Sequence, residues 1–160
     1  MHKGRTIFGM SDAQNLPILQ TPSALAAIFN RLFGFLVGLG IGPAYMRLLQ
    51  VRGRKTGRVY SSPVNVLQFR VKSYLVAPRG RTQWVRNSEA TREIVLKRGK
   101  TRQSFRLRPI PDAEKPEILK LYLDSYKSAV QRFFPVLAGA PAESFRQIAP
   151  SYPVFELLPG

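Results

Sequence analysis

The stretch 46-MRLLQVRGRKTGRVYSSPVNVLQF-69 decides how this chain folds. Two apolar runs, Met46–Arg52 and Val59–Phe69, flank a turn bracketed by Gly53 and Gly57. Runs of this length around a glycine turn read as neighbouring strands. The turn carries Arg54 and Lys55, with Arg52 and Arg58 beside it and no acid near. Glycines permit positive φ and let backbone N–H groups turn inward. An arginine fork and a lysine point charge suit phosphate or carboxylate. From these residues alone, a solvated cationic hairpin reads equally well. It is not a Walker A loop, because Arg54 and Leu49 stand where that motif needs glycine.

The pattern continues on both sides. Val71-Lys72-Ser73 marks a reversal into a strand over Lys72–Ala77, and a short helix is predicted over Thr82–Ser88. Arg92–Leu96 and Gln103–Arg108 form a hairpin around Arg98–Thr101. In its second arm Phe105 and Leu107 alternate with Ser104, Arg106 and Arg108, the period of a half-buried strand. Antiparallel strands with no βαβ rhythm point to a barrel or a sandwich.

Residues 23–40 read as an apolar helix, with Pro22 and Ser23 as its start signal and Gly40, Gly42 and Pro43 as its stop. The uncharged run Leu32–Met46 is too short for a bilayer, which takes about 20 residues. It reads as a core helix packed on a sheet, or as an interfacial helix with Arg31 and Arg47 at lipid headgroups. After Pro111, Ile118, Tyr122, Tyr126, Ala129 and Phe133 recur at helical spacing, with Asp112 as N-cap and Pro116 in the first turn. The whole is one domain: an irregular arm 1–22, the apolar helix 23–40, a barrel core 46–110, a helical segment 112–148 and a closing strand 152–158.

The net charge of +16 is unevenly spread over the 160 residues. Between Asp12 and Glu89 there is no acidic residue, whereas the last third is nearly balanced. Such a field favours an anionic partner: nucleic acid, a membrane surface or a polyanionic small molecule. There is no cysteine, which excludes disulfides and thiolate metal sites. The one histidine, His2, sits in the terminal arm and reads as solvated, and no carboxylate pair falls in the β-rich block. No Ser-His-Asp triad, carboxylate dyad or histidine metal site can be built, so an enzyme here would rely on a cofactor. No apolar run follows Lys3 and Arg5 to make a secretory signal.

In order along the chain, Leu48-Leu49, Gly53-Arg54-Lys55-Thr56-Gly57, Ser62-Pro63-Val64, Tyr74–Gly80, Trp84–Asn87 and Tyr152–Phe155 resemble the signature of the deazaflavin (F420)-dependent nitroreductase family. The resemblance runs from about Asn30 to Leu158. It implies a flavin-reductase-like split β-barrel, α+β and mainly β, with an N-terminal helix and flanking C-terminal helices. It implies an enzyme that binds coenzyme F420, with FMN as the alternative. Reduced F420 would pass a hydride to a hydrophobic acceptor such as a quinone, nitroaromatics being adventitious acceptors. By motif position, Arg54, Lys55, Thr56 and Arg58 would meet the cofactor's phosphate and glutamate tail. Ser62, Pro63 and Val64 would line its ring or ribityl portion, and Ala77, Pro78, Arg79 and Gly80 would approach through backbone. Trp84 and Asn87 would close one side. Tyr126 and Phe134 are position-based choices for the substrate face.

Two departures stand out. Tyr60 sits where the family often has arginine, and the loop Pro78-Arg79-Gly80-Arg81 is short. The implied location is cytoplasmic, peripheral on the inner face of the plasma membrane through 23–46. Two other readings fit the composition: a basic nucleic-acid-binding barrel using Tyr60, Phe69 and Tyr74, and a non-catalytic lipid- or flavin-binding barrel. No specific nucleic acid is expected under the family reading.

Overall fold

The computed structural model describes residues 24–160, with side chains from Arg31 onward. The predicted arm 1–22, His2 and the start signal at Pro22 and Ser23 lie outside the described residues. Helix α1 (Ala24–Gly38) precedes strands β1 (Met46–Arg52), β2 (Val59–Phe69) and β3 (Lys72–Val76). Helix α2 (Gln83–Thr91), strands β4 (Glu93–Arg98) and β5 (Thr101–Pro109), helix α3 (Lys115–Val130) and strand β6 (Val154–Pro159) follow. The strands close a barrel in the order β1-β2-β3-β6-β5-β4, each pair antiparallel, with β4 returning to β1 through Leu49↔Leu96.

Alternation along the strands builds two cores. Leu49, Val51, Leu75, Leu96, Leu107 and Phe155 fill the barrel with Val85 of α2. Their chain neighbours Tyr74, Val76 and Val154 point the other way, into a second core under α3 with Leu119, Tyr122, Leu123, Phe145 and Tyr152. Fully burying one such side chain is worth about 1.5–3 kcal/mol. On β1, Leu48 is buried on the outer face by α1. Gly34 and Gly38, one turn apart, let that helix settle there; a Cβ at Gly38 would lie 3.1 Å from Leu48 Cδ2.

Several boundaries differ from the sequence reading. The β2–β3 reversal falls at Arg70 and Val71, with Arg70 at φ 57°, one residue before the predicted site. Helix α2 runs on to Thr91 and stops at left-handed Arg92, whose N–H meets Ser88 O. Asp112 is not the N-cap of α3. It opens a 3-10 turn (Asp112–Glu114), and its carboxylate pairs with buried Lys115 at 2.6 Å. The predicted helical segment 112–148 divides into α3 and short 3-10 turns, one of them over Ala142–Phe145. Helix α3 kinks at Tyr126 (φ −122°, ψ 24°), whose hydroxyl donates to Val66 O at 2.9 Å.

Candidate functional site

The basic turn is built tightly. Gly53 N–H donates to Arg58 O at 2.7 Å, and Gly57 N–H to Gly53 O at 2.9 Å, with Gly57 at φ 70°. Gly53 is required by space rather than by φ: a Cβ there would lie 2.5 Å from the Tyr60 ring and 2.8 Å from Thr56 Oγ1. The Thr56 and Tyr60 hydroxyls are hydrogen-bonded at 3.2 Å, and Arg58 N–H donates to Thr56 Oγ1 at 3.2 Å. Helix α2 holds the turn from the other side. Asn87 Oδ1 accepts from Arg54 N–H at 3.2 Å and from the Arg54 guanidinium at 2.8 Å. Arg54, Lys55, Thr56 and Arg58 are exposed, so the turn presents cations to solvent from a fixed backbone.

Beside α2 lies a cleft of about 470 Å³, within the size range of ligand sites. One wall is made of motif residues from three elements: Ser62, Pro63 and Val64 of β2, Ala77, Pro78 and Arg79 after β3, and Trp84 of α2. Trp84 packs toward Phe155 with ring centroids 6.2 Å apart. Thr82 also lines the cleft, and its buried Oγ1 has no hydrogen-bond partner. Gly80 and Asn87 stay outside the lining. Gly80 makes the turn (φ 78°) that leads into α2, and Asn87 is buried beneath the basic turn.

Another part of the lining comes from the C-terminal segment. Tyr122, Ala129, Val130, Arg132 and Phe133 line it, with Met46 and Arg31 alongside. Tyr126 and Phe134, chosen from sequence for the substrate face, are not among the lining residues. Tyr126 packs on Tyr45 at 4.6 Å, and Phe134 stacks on Tyr152 at 4.5 Å, both in the core. Tyr122, one turn before the kink at Tyr126, and Phe133, in the 3-10 turn Gln131–Phe133 beyond it, line the cleft instead. Tyr122 was legible in the periodic stripe, but spacing alone does not show that it reaches the cleft. Burial pushes the Tyr122 hydroxyl well above the usual tyrosine range against a hydrogen bond with Asn65, so it stays protonated. Two other concavities, about 510 and 570 Å³, hold none of the expected site residues.

Residues 26–138 match the family described as F420H(2)-dependent quinone reductase, more than half of the chain. The chain belongs to this family. It is an F420-dependent reductase built on a closed, six-stranded antiparallel barrel. No curated protein matches its sequence. Among solved structures, a protein of unknown function from Agrobacterium tumefaciens str. C58 is 16% identical, with 80% of this chain and 54% of that one covered and a TM-score of 0.54. An F420-H2 dependent reductase, FDR-A, is 19% identical, with 71% of this chain and 94% of that one covered and a TM-score of 0.49. A FAD-binding protein from Mesorhizobium loti is 14% identical over 81% of this chain and 88% of that one, at a TM-score of 0.45.

Proposed function

We propose that the cleft and the basic turn together hold reduced F420 and that the acceptor is a hydrophobic quinone. One observation carries this reading. Motif residues from β2, the loop after β3 and α2 converge on one cleft, and Asn87 of α2 ties the basic turn to that helix. When bound, F420 supplies the hydride, so the chain needs no acid, base or metal of its own. Arg54, Lys55, Thr56 and Arg58 meet the phosphate and tail carboxylates. Ser62, Pro63 and Val64 line the ring, and the Ala77–Gly80 backbone approaches it. Trp84 and Phe133 keep water from the reacting atoms. The donor set fits the group: an acid-free lining, and the unpaired Thr82 hydroxyl as a donor for a polar ring edge.

The exposed apolar side chains Leu32, Phe35, Leu39 and Ile41 favour a peripheral membrane contact through α1 and the segment after it. No helix among the described residues is long and apolar enough to cross a membrane. A fluorescence titration with F420 tests the site. The Arg54→Ala, Lys55→Ala double variant is expected to weaken affinity by at least roughly tenfold, from two lost charge-assisted contacts. Unchanged affinity removes the turn from the site. Failure of every quinone in a panel to oxidise bound reduced F420 removes the acceptor.

A further inference from the structure

We propose that this cleft selects acceptors that carry an acidic group on a planar ring, with Arg132 as the residue that docks the anion. The proposal rests on the reading of the cleft as the deazaflavin site. Its lining holds three guanidinium groups from three separate elements, Arg31, Arg79 and Arg132, and no carboxylate. None of the three takes part in an ion pair among the described residues. Two of them frame one ring: the Arg132 Cζ lies 4.7 Å and the Arg79 Cζ 6.0 Å from the Phe133 centroid.

A guanidinium stacked on an aromatic face is positioned without using its in-plane N–H donors. Those donors therefore stay available for a carboxylate, a sulfonate or the oxygen of an ionised hydroxyquinone. Arg132 and Phe133 lie outside the motif residues assigned to the cofactor, which leaves them for the acceptor. The lining adds Met46, Tyr122 and Val130, an apolar and aromatic bed for a flat ring. A neutral quinone would use that bed alone. A ring with a negative edge would use the bed and the guanidinium together. Arg132 is exposed, so the attraction is open to screening by salt.

The test compares menadione, which is neutral, with 2-hydroxy-1,4-naphthoquinone, which is anionic at neutral pH. Both are used with wild type, Arg132→Gln and Arg132→Lys. In Arg132→Gln, kcat/KM for the anionic acceptor is expected to fall about tenfold, the loss of one charge-assisted contact. Menadione is expected to change by less than about twofold. Arg132→Lys recovers part of the loss, and added salt reduces activity with the anionic acceptor only. A readout without cofactor uses Trp84, the single tryptophan of the chain, which lines the cleft. The anionic quinone should quench its fluorescence more weakly in Arg132→Gln than in wild type. Equal losses for both acceptors, or unchanged quenching, overturn the proposal. A weaker F420 affinity in Arg132→Gln assigns the residue to the cofactor and overturns it as well. If Arg132→Gln instead lowers only binding to phosphatidylglycerol vesicles, the anion is a lipid headgroup and the proposal falls. Wild type that quenches with the anionic quinone but binds no F420 refutes the cofactor reading while leaving the anion site standing.

Discussion

Tyr60 and Asn87 show how differently two motif positions behave once folded. Tyr60 stands where the family often has arginine, and its ring fills the space over Gly53 while its hydroxyl meets Thr56. It braces the turn instead of adding a charge. Gly53→Ala is therefore expected to cost about 1–3 kcal/mol by overpacking, measured as a shift in the urea midpoint. Asn87 was expected as a pocket side chain. It is 1% exposed and spends its Oδ1 on Arg54, while its Nδ2 has no partner. Asn87→Ala should cost about 1–3 kcal/mol and weaken F420 binding through the loosened turn, read by thermal melting and titration. A residue name shows which bonds a side chain is able to make; whether its target is a ligand or a neighbouring loop depends on the approach of α2 to the turn. Glu156 raises a pH prediction at the same scale. Burial opposes its ionisation, but hydrogen bonds from Arg108 and Lys72 outweigh that and hold its carboxyl below the usual range. The unfolded chain thus binds a proton at higher pH than the folded one. The stability Glu156 contributes is present above about pH 4.3, the ordinary glutamate value, and is lost as pH falls through the lower folded value. In Glu156→Gln that part of the acid dependence should vanish from urea midpoints measured across the range.

The elements were legible where a period ran unbroken. The β1–β2 and β4–β5 hairpins lie within a few residues of their predicted places and α3 begins within a few residues of its predicted start, because alternation and helical spacing are local properties. The stripe on α3 reads as one unbroken helix because period alone cannot reveal a kink. Beyond Tyr126 the register shifts, and Arg132 and Phe133 become cleft wall. The connector between α1 and β1 shows a second kind of non-local dependence. The Arg98 guanidinium, from β4, donates to the carbonyls of Gly40, Gly42, Pro43 and Met46 at 2.9 to 3.2 Å. Arg98→Ala should raise hydrogen exchange across residues 39–46 and cost about 1–3 kcal/mol, since those carbonyls lose a shared donor. Arg98→Lys should rescue only in part, because one ammonium cannot reproduce the planar fork. Helix α1 carries its own test. Phe35→Ser with Leu39→Ser changes exposed positions, so the melting temperature should hold while co-sedimentation with anionic vesicles falls. Unaltered co-sedimentation would leave α1 as a helix packed on the barrel only.

At the scale of the whole molecule the charge dominates. A net +16 on one domain repels itself, and most cations of the acid-free block sit on β1 and in the turns after β1, β2 and β3. Raising NaCl from about 20 to about 500 mM should therefore raise the melting temperature by screening, while it weakens affinity for F420. Melting and affinity that moved together would place the excess charge outside the binding face. Barrel closure is the other property of this scale. Pairing of β4 with β1, and of β3 with β6, joins segments far apart in the chain, and α2 packs against β1, β2 and β4. The sequence by itself determined the strand and helix periods, the basic turn, the acid-free block and the motif order that resembles an F420 family, because each is written in neighbouring residues. Only the tertiary structure decided that Asn87 anchors rather than lines, that Phe133 and not Phe134 faces the cleft, and that Arg79 and Arg132 frame one ring. Those outcomes depend on the angle of a kink and on contacts between distant segments, which no local pattern encodes.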